Sequence, residues 1–337
     1  MKALYSIFIL LFALGMTSPV FAATKSKTEN IFYYYPNTEG YQSVKDNYRD
    51  IDILAPQLYH IDHNLKLSGP KSNDILELAE DKRIDVMPLV FNEDFSKHLM
   101  SRILNDEDAQ EDMIDDMVDE ADDRDFIGWQ FDFENLDHKE RDLYTDFVKR
   151  AYKEFKKHDL ILSVAVIPGT ADYDPNGITD WSSGYDIGDL AKNSDFISVM
   201  SYDDPRSSGP VSSMAYLDKV LKQVLKDTPR EKISLGIPFY CWQYELGNPK
   251  KIANVTYEIS ANTQTKYRQN GVGSIYLGGD YQTELFAFIK DTGKLNYIFC
   301  DNVKSLKAKQ ELIKDNNLRG FSAWAIGQED ERIWDEL

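Results

Sequence analysis

In the stretch 126-FIGWQFDFEN-135, residues 129–134 alternate aromatic and polar side chains without interruption. The polar set is Gln130, Asp132 and Glu134, and the aromatic set is Trp129, Phe131 and Phe133. Because side chains two apart on a strand point the same way, the pattern predicts a strand with one polar and one aromatic face. Two carboxylates side by side on a buried face are costly, so one of them tends to hold a proton near neutral pH. A protonated Glu134 beside an ionised Asp132 is what a general acid needs.

Seven further β-rich runs flank this one, with amphipathic helical stripes between most of them. In chain order the eight predicted strands are 31–35, 51–59, 84–91, 126–133, 160–167, 196–202, 233–240 and 320–325. Strands that alternate with helices in this number predict an α/β fold, the (β/α)8 TIM barrel. In a barrel the aromatic face of the fourth strand packs outward under the helices. The polar face then points inward, with Glu134 at the carboxyl end, and a solvent-facing edge is excluded.

The chain between the seventh and eighth predicted strands is far longer than one crossover requires. It contains structured segments at 254–260, 274–277, 285–290 and 297–300, with a hairpin turn at 291–294. We therefore expect residues 23–337 to form one barrel with a small α+β insertion at about 247–301, followed by a helix at about 303–315. Insertions in a barrel usually decorate the catalytic mouth, where the βα loops carry function.

Acidic residues outnumber basic ones by 57 to 38, and the formal net charge is −19. Segment 105–125 contains twelve acids and one arginine, and so supplies −11 of that charge. Its apolar residues recur at helical spacing and no turn glycine interrupts the acids, so we favour an amphipathic helix with a solvated face over a calcium site. So acidic a surface repels phosphate, and we expect neither nucleic acid nor an anionic membrane as a partner.

Residues 1–22 have the features of a secretory signal peptide: Lys2, an apolar stretch and the small-residue cleavage site Val20-Phe21-Ala22. We therefore expect a protein that is secreted or periplasmic, in an oxidising compartment that permits disulfides. We also expect it to be a monomer. The two cysteines, Cys241 and Cys300, allow one bridge without requiring it. The five histidines suit surface or loop positions better than a metal site, and we expect no metal and no other cofactor.

Four motifs, in chain order, resemble those of a known family. Gly128-x-x-x-Asp132-x-Glu134 resembles the D-G-x-D-x-D-x-E strand of glycoside hydrolase family 18, the chitinase family. The motifs MSYD at 200–203, GIPFY at 236–240 and GFSAW at 320–324 resemble the family's patterns on strands six, seven and eight. Order and spacing match throughout. The stretch 211–240 and the helix after Asn302 particularly resemble the spore-cortex and peptidoglycan-lytic branch.

Two positions depart from the family pattern. The family's first Asp is Ile127 here, and its middle Asp is Gln130. An amide does not titrate, but Gln130 can donate a hydrogen bond to Asp132, which would favour the ionised form. We expect this replacement to affect the pH optimum more than the activity, and the cortex-lytic branch also tolerates an amide here.

The resemblance implies retaining, substrate-assisted hydrolysis, in which the sugar's own 2-acetamido oxygen attacks the anomeric carbon. Glu134 then acts as general acid and later as base, Asp132 orients the acetamido group, and Tyr202 hydrogen-bonds its oxygen. Trp324 forms the floor under the sugar. The other expected substrate contacts are Gln130, Met200, Asp203, Tyr240, Trp242 and Tyr33, with packing an equal alternative for Trp242 and the core an equal alternative for Tyr33. Tyr35 shares the parity of Tyr33 on the first strand and has the same two alternatives, the cleft or the core. Gln57 and Tyr59, inward by the same logic on the second strand, are weaker candidates.

The expected function is therefore that of a secreted glycosidase acting on β-1,4 bonds in N-acetylglucosamine-containing glycans, either chitin or peptidoglycan. One alternative is an inactive chitinase-like carbohydrate-binding protein, although such proteins typically lose the acid at the position of Glu134. Another is an endo-β-N-acetylglucosaminidase acting on N-glycans. A two-carboxylate glycosidase is less well supported, because the strand ends offer Asp203 but no second inward Glu.

Overall fold

Eight parallel strands close into a barrel, because the first strand pairs with both the second and the last. The computed structural model describes residues 28–169, 180–269 and 271–337, and the signal peptide predicted at 1–22 lies outside them. In chain order the strands are β1 (Glu29–Tyr34), β2 (Ile53–Ile61), β3 (Leu89–Asn92), β4 (Gly128–Phe131), β5 (Ile161–Val166), β6 (Phe196–Val199), β7 (Ile233–Pro238), β8 (Cys241–Glu245), β9 (Ala253–Val255), β10 (Gly271–Leu277), β11 (Thr283–Ile289), β12 (Leu295–Cys300) and β13 (Gly320–Trp324). Strands β1 to β7 and β13 form the barrel, which confirms the predicted (β/α)8 fold.

Helices fill the crossovers between the barrel strands. They are α1 (Thr38–Asn47), α2 (Asp74–Lys82), α3 (Lys97–Leu104), α4 (Glu107–Asp123), α5 (Arg141–Phe155), α6 (Asp180–Ser183), α7 (Ile187–Lys192), α8 (Met214–Val224), α9 (Tyr257–Lys266) and α10 (Val303–Asp315). Short 3-10 turns occur at Tyr48–Asp50, Glu93–Phe95, His138–Glu140, Lys156–His158, Arg230–Lys232 and Glu331–Glu336. Two-residue strands, Leu67–Ser68 and Asp85–Val86, pair with β2. In the described part of the chain, no helix has the length and apolar character to cross a membrane.

The fourth strand has the two faces that its sequence predicts. Trp129 and Phe131 are fully buried on the outer face, where the Trp129 indole donates to the Met117 carbonyl of α4 at 2.9 Å and Phe131 stacks on Phe147 of α5. Regular pairing ends at Phe131, earlier than the predicted residue 133. Asp132 and Glu134 therefore follow the end of the strand, at the mouth of the barrel.

The inside of the barrel is more polar than branched apolar packing would make it. Inward positions on four successive barrel strands carry serines, all at most 1% exposed: Ser163, Ser198, Ser234 and Ser322. Apolar residues fill the remaining space, among them Ile31, Ile53 and Phe196. Small hydroxyl side chains leave room for longer polar groups, and Gln130 occupies that room beneath the mouth.

The acidic segment forms the amphipathic helix expected of it, α4. Its apolar stripe, Met113, Ile114, Met117, Val118 and Ala121, is buried against the strands. Most of its acids are exposed, while Glu120 accepts a hydrogen bond from the Tyr59 hydroxyl at 2.8 Å. Within the described residues, no three His, Cys, Asp or Glu side chains converge as a metal site.

A second sheet lies between the seventh and eighth barrel strands. Its five antiparallel strands run in the order β9-β8-β12-β11-β10, and the expected hairpin turn at 291–294 joins β11 to β12. The expected start of the insertion at about 247 is too late, because β8 begins at Cys241, directly after the seventh barrel strand. Cys241 and Cys300 form a disulfide that links β8 to β12. The cysteines thus tie the first strand of this sheet to a later one.

Candidate active site

A cleft of about 810 Å³ opens at the carboxyl ends of the barrel strands. Eight of the residues expected at the site line it: Tyr33, Asp132, Glu134, Met200, Tyr202, Asp203, Tyr240 and Trp324. Tyr35 and Gln57 line it as well. Carboxyl ends of parallel strands meet at one edge, which brings residues from β1, β4, β6, β7 and β13 together although more than 290 positions separate the first from the last.

Burial governs the protonation of the two carboxyl groups from the fourth strand. Asp132 is 5% exposed, and its burial raises its pKa well above the ordinary value. Burial also raises the pKa of Glu134, and the negative charges of Asp132 and Asp203 raise it further. Since no cation contributes to either shift, a proton is retained between the two groups near neutral pH. Glu134 is therefore equipped to donate a proton inside the cleft.

The backbone of Glu134 is held by a residue that the sequence reasoning did not identify. Asn92, the last residue of β3, is fully buried; its side-chain oxygen accepts from the Glu134 N–H at 3.1 Å and its amide nitrogen donates to the Glu134 carbonyl at 3.2 Å. The next residue, Asn135, has a left-handed backbone with φ +59. The chain therefore turns sharply after the acid. An Asn at the end of a predicted strand was the available signal, but its partner is 42 positions away.

Tyr202 occupies its position because the neighbouring strand carries a glycine. A Cβ atom at Gly236 would lie 2.9 Å from a ring carbon of Tyr202 and closer still to the Val199 carbonyl. Real side chains do not tolerate such contacts, so only glycine lets the tyrosine ring lie against β7. Tyr240 meets Tyr202 edge to face with centroids 6.4 Å apart. Gly236 and Tyr240 of the strand-seven motif thus hold the ring of Tyr202, from the strand-six motif, in place.

Asp203 follows Tyr202 with a left-handed backbone, φ +56, and its side chain is 51% exposed at the cleft. The Tyr240 hydroxyl donates to Asp203 Oδ1 at 2.6 Å, and Lys251 Nζ lies 3.6 Å from the same oxygen. The hydroxyl contact is a hydrogen bond to a charged acceptor, which is stronger than one between neutral groups. This carboxylate is therefore engaged with the protein.

The floor of the cleft is aromatic. Trp324, the last residue of β13, lies with its ring centroid 5.5 Å from that of Tyr33 on β1. The peptide bond between Trp324 and Ala325 is cis. Tyr33 is 2% exposed, whereas Tyr35 is 53% exposed and stands at the rim. The two tyrosines therefore make very different surfaces available to a ligand.

Gln130 does not have the role predicted for it. Its amide nitrogen donates to Ser163 Oγ and Ser198 Oγ, both at 2.8 Å, so both N–H groups are occupied inside the barrel. The residue is fully buried and does not line the cleft. The predicted hydrogen bond to Asp132 is wrong, as is the predicted substrate contact. The pKa of Asp132 accordingly rises through burial instead of falling.

Trp242 is placed by packing and not by the cleft. It is 4% exposed, lies in the apolar cluster of the second sheet with Tyr244 and Phe299, and is absent from the cleft lining. Lys251 Nζ lies 4.4 Å from its ring centroid. The predicted substrate contact is therefore wrong, and of the two roles considered the structure favours packing. The cause is the start of β8 at Cys241, which turns Trp242 into the new sheet.

Tyr59 shows how one irregularity in strand pairing reverses the direction in which a side chain points. A register shift between Gln57 and Tyr59 interrupts the pairing of β2 with β3. Gln57 stays inward and lines the cleft, but Tyr59 turns outward and packs edge to face on Phe126 and Trp129. The inward placement predicted for Tyr59 is wrong because strict alternation holds only without a bulge.

The structure also adds lining residues that no motif identified. The second sheet and α9 contribute Asn254, Val255, Thr256 and Ile259, while Phe95 and Gln328 come from loops that follow β3 and β13. The position of the insertion at the mouth was predicted, but which of its residues face the cleft depends on how it docks. Sequence periodicity does not contain that information.

The fold and this site define a barrel enzyme with a proton-donating carboxyl at the mouth. Residues 20–329 match the family described as Glycosyl hydrolases family 18. The chain belongs to this family, and it is a glycosidase.

Curated relatives and solved structures agree with this assignment. The chain is 23% identical over 276 residues to the putative sporulation-specific glycosylase YdhD of Bacillus subtilis, covering 80% of this chain and 64% of that protein. It is 25% identical over 304 residues to the cortical fragment-lytic enzyme of the same organism, covering 87% and 68%. The crystal structure of a chitinase from Chromobacterium violaceum superposes with a TM-score of 0.82 at 21% identity, covering 91% and 97%. At that identity the superposition establishes the shared fold.

Proposed function

We propose that this glycosidase hydrolyses β-1,4 bonds that follow N-acetylglucosamine units, in peptidoglycan or chitin, by retaining, substrate-assisted catalysis. The observation that carries the proposal is the pair Asp132 and Glu134, which line the cleft without a cation and both have a raised pKa. An ordinary retaining glycosidase needs a second, nucleophilic carboxylate. Asp203 is the other cleft-lining carboxylate among the described residues, and Tyr240 and Lys251 engage it.

In the first step, Glu134 donates its proton to the glycosidic oxygen as the bond to the leaving sugar breaks. The 2-acetamido oxygen of the retained sugar forms the new bond to the anomeric carbon, and the positive charge spreads over the oxazolinium ring. Asp132 stabilises that charge, and Tyr202 hydrogen-bonds the acetamido group so that its oxygen lies in line. Trp324 supports the sugar ring through its apolar face.

In the second step, the ionised Glu134 removes a proton from water while the water oxygen attacks the anomeric carbon. The bond to the acetamido oxygen breaks, the anomeric configuration is retained, and Glu134 regains its starting proton. One carboxyl group thus serves as acid and then as base, which matches a site that keeps a shared proton near neutral pH.

The names of the relatives support peptidoglycan as the first substrate to examine. YdhD is called a putative sporulation-specific glycosylase, and a second relative is called a cortical fragment-lytic enzyme. Chitin is the second candidate, supported by the fold shared with the Chromobacterium chitinase. We also propose export through the signal peptide at 1–22, and the disulfide between Cys241 and Cys300 supports an oxidising compartment.

Parallel digestion tests the proposal. Purified peptidoglycan, N-acetylglucosamine hexamer and a high-mannose glycoprotein are incubated with the enzyme, and each new reducing end is identified by mass. We expect new N-acetylglucosamine reducing ends from peptidoglycan or the hexamer, with the β configuration retained in the first product. Release of N-glycans alone, or an inverted first product, would overturn the proposal.

A further inference from the structure

One wall of the cleft belongs to the insertion and not to the barrel. Asn254 and Val255 of β9, with Thr256 and Ile259 at the start of α9, line the cleft there. Ile259 is 50% exposed, so it presents apolar surface next to the cleft. The position of this short stretch relative to the barrel decides the width available to a glycan.

Tyr257 lies inside that stretch but does not line the cleft. Its ring packs against the apolar cluster that surrounds the disulfide, which includes Cys241, Phe286 and Phe288. Its backbone N–H donates to the Gln328 carbonyl at 2.9 Å, and Gln328 is itself a cleft residue on the loop after β13. Tyr257 therefore joins the insertion wall to the barrel at the edge of the cleft.

The Tyr257 hydroxyl is held from two sides. It donates to Glu284 Oε2 on β11 at 2.9 Å, and it accepts from Arg332 Nη2 at 2.7 Å. Asn302, which caps α10, donates to the same Glu284 oxygen at 3.2 Å. Hydrogen bonds that involve charged partners are the stronger kind, so the hydroxyl has a defined position.

Arg332 reaches this hydroxyl from the C-terminal segment behind the last barrel strand. Its guanidinium makes two hydrogen bonds to Asp330, Nε to Oδ1 at 2.7 Å and Nη2 to Oδ2 at 2.8 Å. Asp330 is 3% exposed and also accepts from the Val303 N–H at 3.2 Å, where α10 begins. The orientation of the arginine is thus fixed on the barrel side before it meets Tyr257.

We propose that Tyr257 and Arg332 are positioning residues that hold the insertion wall against the cleft and thereby set the affinity for a glycan chain. The inference rests on the proposed function, because it takes a glycan as the occupant of the cleft. Neither residue touches the catalytic carboxyls, so the chemical step is unaffected once substrate is bound. Loss of the contact lets the insertion wall move away, which widens the cleft and weakens binding of the glycan.

The first experiment measures steady-state hydrolysis of N-acetylglucosamine hexamer by wild type, Arg332→Gln, Tyr257→Phe and the double variant. We expect each single variant to raise KM by about 5- to 20-fold with kcat within twofold, because uniform binding is lost. The KM of the double variant should not exceed that of the more impaired single variant, because both substitutions remove the same contact. Arg332→Lys should have a KM close to that of Arg332→Gln, because an ammonium cannot make the two parallel hydrogen bonds to Asp330.

Arg319 provides a matched control. It also makes two hydrogen bonds to one carboxylate, Glu29, at 2.7 and 2.8 Å, but at the opposite end of the barrel. Arg319→Gln should leave KM unchanged. An unchanged KM in a folded Arg332→Gln protein would overturn the inference. A fall in kcat as large as the rise in KM would overturn it too.

A second measurement does not depend on catalysis. Hydrogen exchange of the backbone at 254–260 should accelerate at least tenfold in Arg332→Gln and stay unchanged in Arg319→Gln, because local opening replaces a fixed wall. Unchanged exchange in Arg332→Gln would overturn the inference. If wild type fails to cleave the hexamer and every other glycan, the proposed function fails, while the exchange result still decides whether the wall is held by this contact.

Discussion

Two carboxylate sites among the described residues can be compared: one has a cation beside it, and the other has none. Asp301, at the end of β12, pairs with Lys309 of α10, which is fully buried, and the ammonium opposes the rise in pKa that burial causes. Asp132, which is buried, and Glu134, which is half-buried, lie at the mouth of the barrel with no such partner. The paired group joins the insertion to a helix, and the unpaired group faces the cleft. At these two sites, a cation offsets the buried charge where the carboxylate has a structural role, and no cation does so where a proton must be donated.

The largest expected effect comes from Glu134→Gln. An amide keeps the shape of the side chain but has no proton to donate, so kcat should fall by about 10²- to 10⁴-fold. Binding of N-acetylglucosamine hexamer, measured by calorimetry, should stay within a few-fold of wild type. Glu154→Gln, on the outer helix α5, is the control and should be fully active. Unchanged turnover in Glu134→Gln would exclude this residue as the acid.

The same variant tests the cost of leaving the carboxyl unpaired. Because burial raises the pKa of Glu134 in the folded state, the folded protein holds more protons than the unfolded chain above the ordinary pKa, and stability falls as pH rises through that window. In Glu134→Gln this pH-dependent loss of folding stability is absent, because an amide does not titrate. Its melting temperature should therefore exceed that of wild type at pH 8 and approach it at pH 4. A variant that is less stable at pH 8 would contradict the electrostatic comparison.

Lys309→Met tests the paired group. Removing one partner of a buried pair leaves an uncompensated charge, and the free energy of unfolding should fall by about 3 to 5 kcal/mol in denaturant titration. Lys307, on the same helix, makes an exposed pair with Glu336. Lys307→Met should cost less than about 1 kcal/mol. Equal effects of the two substitutions would break the comparison between buried and exposed pairs.

Gly236→Ala asks whether the mouth depends on geometry as well as on charge. The new methyl would press on the backbone beside Val199 and on the ring of Tyr202. Displacement of the tyrosine should lower kcat by about 10- to 100-fold, since small misplacements in an active site are costly. At Gly209 a Cβ meets its nearest neighbour at 3.6 Å, an ordinary contact, so Gly209→Ala should leave kcat unchanged. Full activity in Gly236→Ala would show that Tyr202 needs no such placement.

The smallest expected effect concerns the pH profile. The alkaline limb of kcat/KM reports deprotonation of the acid, so it should lie well above the ordinary pKa of a glutamate, about 4.3. Asp203 is one of the negative charges that raise the pKa of Glu134. Asp203→Asn should therefore move this limb to lower pH, whatever it does to the rate. A limb that moves to higher pH would show that Asp203 does not act through its charge.

The sequence by itself determined the barrel and most of its mouth. Alternation of period two around Asp132 and Glu134 predicts both faces of the fourth strand, because the pleat imposes that period on any strand. Eight β-rich runs separated by helical stripes leave the closed barrel as the consistent architecture. The parallel strands then bring Tyr202, Tyr240 and Trp324 to the same edge, since each lies at a strand's carboxyl end. Local patterns were sufficient wherever one strand's geometry fixed the direction of a side chain.

Only the tertiary structure decided the contacts between elements. Gln130 turns to two serines on neighbouring strands, Tyr59 follows a bulge outward, and Trp242 enters a sheet that begins earlier than its sequence indicates. Asn92 holds the backbone of Glu134 from another strand, and Arg332 holds Tyr257 from the end of the chain. Each of these depends on which partner lies nearest in space. Periodicity along a chain fixes the face on which a side chain lies, whereas packing between distant segments fixes what that side chain meets.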